Sequence, residues 1–310
     1  MGLFFQDYSV ARILTFIVLV ACLVLFNEIT RKSKAASLVA YGIIPVILVI
    51  GILMGWINTP SSKTWFGVVK TFSALAGVWG FLAIRFIPRV EKSKFTFIFP
   101  ALILSVNILE AVVKDFEVFA TYKELTVDEA GLVVLGGPWN IMNGIAGIIL
   151  ILTLTGWMGI KVANTKSRDM VWADQLWFWI VAYDVWNIAY CYNCISTRSM
   201  YSGVALILSC TVAEAFLKRG LWLQHRAQTL ALFGMFSLFF DYQGSDLFGI
   251  HATYSTTAWT ILGAAALIVN IAVLVYEIYV CRKYKKNPLK EEVYTHLLAY
   301  KKNMKDNKLS

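Results

Sequence analysis

Ala35-Ala36-Ser37-Leu38-Val39-Ala40-Tyr41-Gly42-Ile43-Ile44-Pro45-Val46-Ile47-Leu48-Val49-Ile50-Gly51-Ile52-Leu53-Met54-Gly55-Trp56 runs without a single charged residue. As a helix, a run of this length reaches about 33 Å, enough to cross a hydrocarbon core of about 30 Å. In lipid each unsatisfied backbone N–H or C=O costs several kcal/mol, and a helix pairs its own. The run therefore predicts a transmembrane helix. Similar apolar segments fall at about 9–28, 64–84, 95–116, 138–160, 172–191, 200–218, 224–241 and 256–280, which brings the expectation to about nine. The segment at 224–241 opens on Gln224, His225, Arg226 and Gln228, so it reads as short, tilted or re-entrant.

Composition agrees. Of 310 residues, 58% are hydrophobic and 15% charged, against about half and a quarter in soluble domains. Mean hydropathy is +0.65. A soluble enzyme, a disordered chain and a disulfide-stapled secreted module are excluded. The predicted fold is an all-α, polytopic integral membrane helix bundle. Residues 1–281 form the bundle and 282–310 a basic tail. Leu19-Val20-Ala21-Cys22 resembles a lipoprotein processing site, but the sequence stays apolar through Phe26, so 9–28 reads as a retained first span.

The net charge of +9 reflects topology rather than nucleic-acid binding. Basic residues gather in alternate connections: Arg31/Lys32/Lys34, Arg85/Arg89/Lys92/Lys94, Lys161/Lys166/Arg168, Lys218/Arg219/Arg226 and the tail after Arg282. The positive-inside rule then puts the N-terminus outside and the C-terminus in the cytoplasm. Trp56, Trp65, Trp139 and Trp259 fall at outer ends and Trp157, Trp172 and Trp222 at inner ends, as an interfacial belt would. Asn287-Pro288 is a suitable helix start, and Leu289, Val293, Leu297 and Tyr300 recur among lysines. This predicts a basic amphipathic helix on anionic lipids of the cytoplasmic leaflet. Ser73-x-x-x-Gly77 and Gly144-x-x-Gly147 suit close helix packing.

Polar groups within spans are the candidate site. Asn107, Glu110 and Lys114 share one face of the fourth segment. Glu110 and Lys114 could neutralise each other at i, i+4, which leaves Asn107 unexplained. Asp184 has no basic neighbour three or four positions away and shares a face with Asn187 and Cys191. It either faces a cavity or bonds to Lys114 or Lys70. Asn140 and Asn143 repeat beside Gly147, as solute ligands or as helix-to-helix bonds, and Glu214 and Lys218 form a further i, i+4 pair. The outer connections are acidic, with Asp115, Glu117, Glu124, Asp128 and Glu129, and then Asp241 and Asp246 beside His251. Such a mouth would concentrate cations.

The reading that joins these features is a transporter or channel for a small cation or protonated solute. Glu110 and Asp184 would carry charge in an outward-facing cavity, and Asn107, Asn140, Asn143 and Asn187 would supply neutral ligands. No metal, cofactor or nucleic-acid partner is expected. The short loops point to the plasma membrane of a bacterium, crossed many times. A membrane-embedded enzyme is the alternative, with the same carboxylates protonating an isoprenoid over Trp177, Trp179, Tyr183, Trp186 and Tyr190. In that layout the chain is similar to small integral-membrane terpene cyclases. Cys191-Tyr-Asn-Cys194 offers a third option, a thiol oxidoreductase, although no second cysteine pair is present to relay electrons. A non-catalytic scaffold would use every polar residue to join helices.

Asn107-Ile-Leu-Glu110-Ala, Gly136-Gly-Pro-Trp-Asn140 and Asp184-Val-Trp-Asn187 resemble segments of an uncharacterised bacterial family of polytopic membrane proteins. That resemblance spans most of the chain and implies no activity.

Overall fold

The computed structural model describes residues 2–128 and 131–309, so Glu129 of the acidic connection lies outside the described residues, as do the side chains of Trp65, Phe66 and Lys94. Among the described residues nine principal helices follow one another: α1 (Val10–Lys32), α2 (Lys34–Leu53), α3 (Trp65–Phe86), α4 (Ile98–Thr121), α5 (Pro138–Leu152), α6 (Trp177–Cys194), α7 (Ser196–Leu217), α8 (Trp222–Phe239) and α9 (Thr256–Tyr284). A short helix, α10 (Leu298–Asp306), follows. By length and apolar composition, α1, α2, α3, α4, α7 and α9 can cross a membrane. They present leucine, isoleucine and valine outward, including Leu14, Ile17, Val46, Leu53, Ile268 and Val275. In water that surface would aggregate. In lipid it costs nothing.

Local chemistry sets the breaks. Ser33 alone separates α1 from α2, and its hydroxyl accepts from the Ala36 N–H, an N-cap that starts α2 at once. Pro45 lacks an N–H and its ring crowds the preceding turn, and the wide π-helical turn Val39–Ile43 stands immediately before it. Pro138 occupies the first turn of α5, where Asn140 Oδ1 accepts from the Gly137 N–H at 3.0 Å.

Two segments differ from the expected spans. The fifth helix ends at Leu152 instead of near 160, and the sixth starts at Trp177 instead of 172. Between them the chain folds back into the bundle as a plug, with a two-residue antiparallel ladder of β4 (Lys161–Val162) on β5 (Met170–Val171). Leu154, Ile160, Val162 and Trp172 are apolar because protein covers them. Two more ladders close the opposite end, β1 (Phe5–Gln6) with β6 (His251–Ala252) and β2 (Thr126–Val127) with β3 (Val133–Val134).

The basic residues are not all solvated markers. Asp169 in the plug is fully buried and accepts from Arg31 Nη1 at 2.7 Å, Gln224 Nε2 at 3.0 Å and Ser167 Oγ at 2.5 Å. Arg85 lies 3.6 Å from the same carboxylate and donates to the carbonyls of Arg31, Ser167 and Arg168. Arg31 also pairs with both oxygens of Glu28. This knot ties α1, α3, α8 and the plug at one end of the bundle.

Several tryptophans expected at an interface are internal. Trp139 and Trp259 stack at 5.4 Å, and Trp172 and Trp222 are buried. Carbonyls accept the indole N–H of three of them: Trp259 donates to Tyr192 O at 2.9 Å, Trp172 to Thr155 O at 2.9 Å and Trp139 to Leu135 O at 3.1 Å, while the Trp222 N–H is buried without a partner. Trp56 is exposed.

The tail also departs from expectation. Helix begins only at Leu298, and Val293, Tyr294, Tyr300 and Met304 are buried against Val171, Ala173, Leu176, Leu221 and Val280. Asp174 fastens it, accepting from the N–H groups of Val293 at 2.9 Å and Tyr294 at 2.8 Å while Thr155 Oγ1 donates at 2.7 Å. Lys290, Lys301, Lys302, Lys305 and Lys308 remain exposed on the other side.

Candidate functional site

Glycines set how closely the helices around the centre approach. A Cβ on Gly147 of α5 would lie 2.5 Å from Val112 of α4 and 2.8 Å from the Trp186 indole of α6. One on Gly263 would meet the Trp139 backbone at 2.9 Å. The Gly144-x-x-Gly147 expectation thus corresponds to a tight crossing, whereas Gly77 meets Ile103 at an ordinary 3.6 Å and opens onto a cavity.

That cavity, about 160 Å³ and partly open, is lined chiefly by α3, α4, α6, α7 and α8. Its wall is mostly apolar, with Leu104, Leu223, Leu230 and Phe233 among the lining residues. Tyr183, Trp186 and Tyr190 supply aromatic faces, and Asn107, Asn187, Cys191 and three cations, Lys70, Arg198 and Arg226, supply polarity. An apolar cavity of this size stays dry and takes an apolar guest, whereas polar partners such as these can hold water or a polar ligand.

Lys70 Nζ bridges α3 to α4, donating to Asn107 Oδ1 at 3.1 Å and Glu110 at 2.8 Å. Arg226 is 7% exposed. Its Nε lies 3.4 Å from the Tyr183 hydroxyl, and its guanidinium carbon lies 5.9 Å from the centre of that ring. Nη1 is buried with no hydrogen-bond partner.

The six residues singled out as ligands fall into four places. Asn107 and Asn187 line the cavity. Glu110 pairs with Lys70 outside the lining, and Lys114 pairs with Glu117 at 3.1 Å, so the alternative in which Glu110 and Lys114 neutralise each other does not hold. Asp184 turns to α7, accepting from Thr211 Oγ1 at 2.6 Å, and bonds to neither Lys114 nor Lys70; its Oδ1 is buried without a partner. Asn140 and Asn143 meet Asp115, donating at 3.0 and 2.7 Å. Cys194 Sγ approaches the same carboxylate at 3.3 Å, while Cys191 lines the cavity, and both thiols are free. Glu214 accepts from the N–H groups of Gly220 and Leu221 instead of pairing with Lys218.

Sequence reading missed Asp115, Asp169 and Arg226 as buried groups. Asp115 was grouped with the loop acids and Arg226 with the topology markers. For Arg226 a signal existed: His225-Arg226-Ala227-Gln228 stands within an apolar segment, where an ionisable residue is a site candidate by default. The loop acids themselves stabilise turns, Asp128 accepting from the Leu132 N–H and Asp241 from the Gly244 N–H, and His251 faces Asp7 at 3.3 Å.

An all-α bundle in which six helices are apolar and long enough to cross a membrane defines the class as a helical membrane protein. A family model described as a family of unknown function, DUF5692, matches residues 6–306, and the chain belongs to that family. No curated protein and no solved structure matches it.

Proposed function

We propose that this protein is a multi-pass carrier of the plasma membrane that binds a small solute in the cavity between α3, α4, α6, α7 and α8. The carrying observation is the cavity itself: polar and charged side chains converge on about 160 Å³ of space inside an otherwise apolar bundle. Ionisable groups at such depth are costly and mark solute pathways. In this reading α5, α6 and α8 also cross the membrane, giving nine spans, with the Arg31–Asp169 end and the tail in the cytoplasm and the exposed tail lysines against anionic lipid. Acid catalysis on an isoprenoid draws less support, because Glu110 and Asp184 are absent from the cavity wall.

The test is flux of protons, potassium and acetate in proteoliposomes, comparing wild type with Gly77→Leu, which places a side chain in the cavity, and Asn187→Ala. Flux that falls in both variants, with folding retained, supports the carrier. No flux of any of these from folded wild type, or equal flux with Gly77→Leu, overturns it.

A further inference from the structure

Two of the three cations on the cavity wall have acids nearby: Asp128 and Asp241 lie within electrostatic reach of Arg198. Lys70 is neutralised from behind by Glu110. Arg226 makes no ion pair among the described residues; Asp184 lies within electrostatic reach but is bonded to Thr211. Its nearest polar neighbour is the neutral Tyr183 hydroxyl, and Nη1 points at nothing. Burying a guanidinium with no carboxylate in hydrogen-bond contact costs several kcal/mol even after relaxation, and a planar fork of N–H donors is satisfied best by a carboxylate or phosphate held through two hydrogen bonds. A cation would meet repulsion at this point.

The rest of the wall favours a slim apolar body. Along α8 the lining residues Leu223, Ala227, Leu230, Phe233 and Gly234 recur at helical spacing as far as Ser237. That is a strip of about 21 Å at 1.5 Å per residue. We infer that the cavity binds an amphiphilic organic anion, with its carboxylate or phosphate on Arg226 and its apolar body along α8. This rests on the reading of the cavity as the solute site and sets the sign of the solute opposite to the cation that the outer acidic loops suggest.

The test uses the full-length protein in nanodiscs and four probes: octanoate, octanol, octyltrimethylammonium and acetate. Binding is followed by quenching of tryptophan fluorescence, to which Trp186 on the wall contributes, and by thermal shift. Octanoate should bind more tightly than the other three. Arg226→Gln should weaken octanoate roughly 30-fold or more, the loss expected when one partner of a buried charge pair is removed, and Arg226→Lys should recover part of it.

Equal binding of octanoate and octyltrimethylammonium would overturn the proposal, as would octanoate affinity unchanged in Arg226→Gln. Acetate binding as tightly as octanoate would overturn the amphiphile and leave a free small anion. If Arg226→Gln does not fold, the head-group series on wild type decides alone. Selective octanoate binding without vesicle flux would defeat the carrier and keep the anion site. Potassium flux without octanoate binding would do the reverse.

Discussion

Asp169→Asn isolates what the charged knot contributes, because the side chain keeps its shape and loses only its charge and one acceptor. In the native chain the carboxylate is fully buried and receives Arg31 at 2.7 Å, Gln224 at 3.0 Å and Ser167 at 2.5 Å, with Arg85 at 3.6 Å. Removing one member of a buried ion pair costs about 3–5 kcal/mol, since the partner charge stays behind. Two features reduce that here. Arg31 keeps both bonds to Glu28, and Arg85 keeps three backbone carbonyls. The lower limit, about 3 kcal/mol, is therefore expected, a drop of about 6–12 °C in melting temperature at roughly 2–4 °C per kcal/mol. The assay is tryptophan-fluorescence melting in nanodiscs, with Glu91→Gln as the control. Glu91 and Arg168 form an ion pair at the same end but are one-third or more exposed, 33% and 39%, so that control should cost no more than about 1 kcal/mol. Asp169→Asn melting within about 2 °C of wild type, or together with the control, would refute the view that the knot holds the plug to α1, α3 and α8.

Two further outcomes follow from the tail and the helix crossings. Burial pushes the Asp174 and Glu292 carboxyls up, in Asp174 against the opposing N–H groups of Val293 and Tyr294 and the Thr155 hydroxyl. A raised folded-state value stabilises docking fully below the ordinary carboxylate range near about 4 and loses that contribution as pH rises through the raised value. The tail should therefore dock less firmly at pH 8 than at pH 5, read as faster hydrogen exchange at Val293 and Tyr294 after correction for intrinsic rates; equal protection would count against it. Exposed Glu291 acts in the opposite sense, because the Lys286 ammonium lowers its value. Gly263→Ala would put a methyl 2.9 Å from the Trp139 backbone, so α5 and α9 must separate, costing about 1–3 kcal/mol. Unchanged melting of that variant would show that the crossing yields more readily than its geometry implies.

The helical class could be read from runs such as 35–56 and 256–280, because lipid permits only helices and closed barrels, and a continuous apolar run of this length, without alternation, fits the helix and is visible without knowing any neighbour. Six of the expected segments are helices of the length and apolarity that crossing requires. Pro138 at the first turn of α5 is local chemistry and legible in the same way. The stretch after Leu152 misled because apolarity does not distinguish cover by lipid from cover by protein: Leu154, Ile160 and Trp172 are buried in a plug.

Charge pairing was decided only in three dimensions. Neighbours along a helix suggested Glu110 with Lys114, but Lys70, far away in sequence on α3, reaches Glu110 at 2.8 Å. Asp115 gathers Asn140, Asn143 and Cys194 from two other helices. From sequence alone, Arg226 counted toward orientation and the acidic loops suggested a cation. Helix packing buries that guanidinium on the wall of a cavity whose lining holds no carboxylate, a placement that no pattern along the chain discloses.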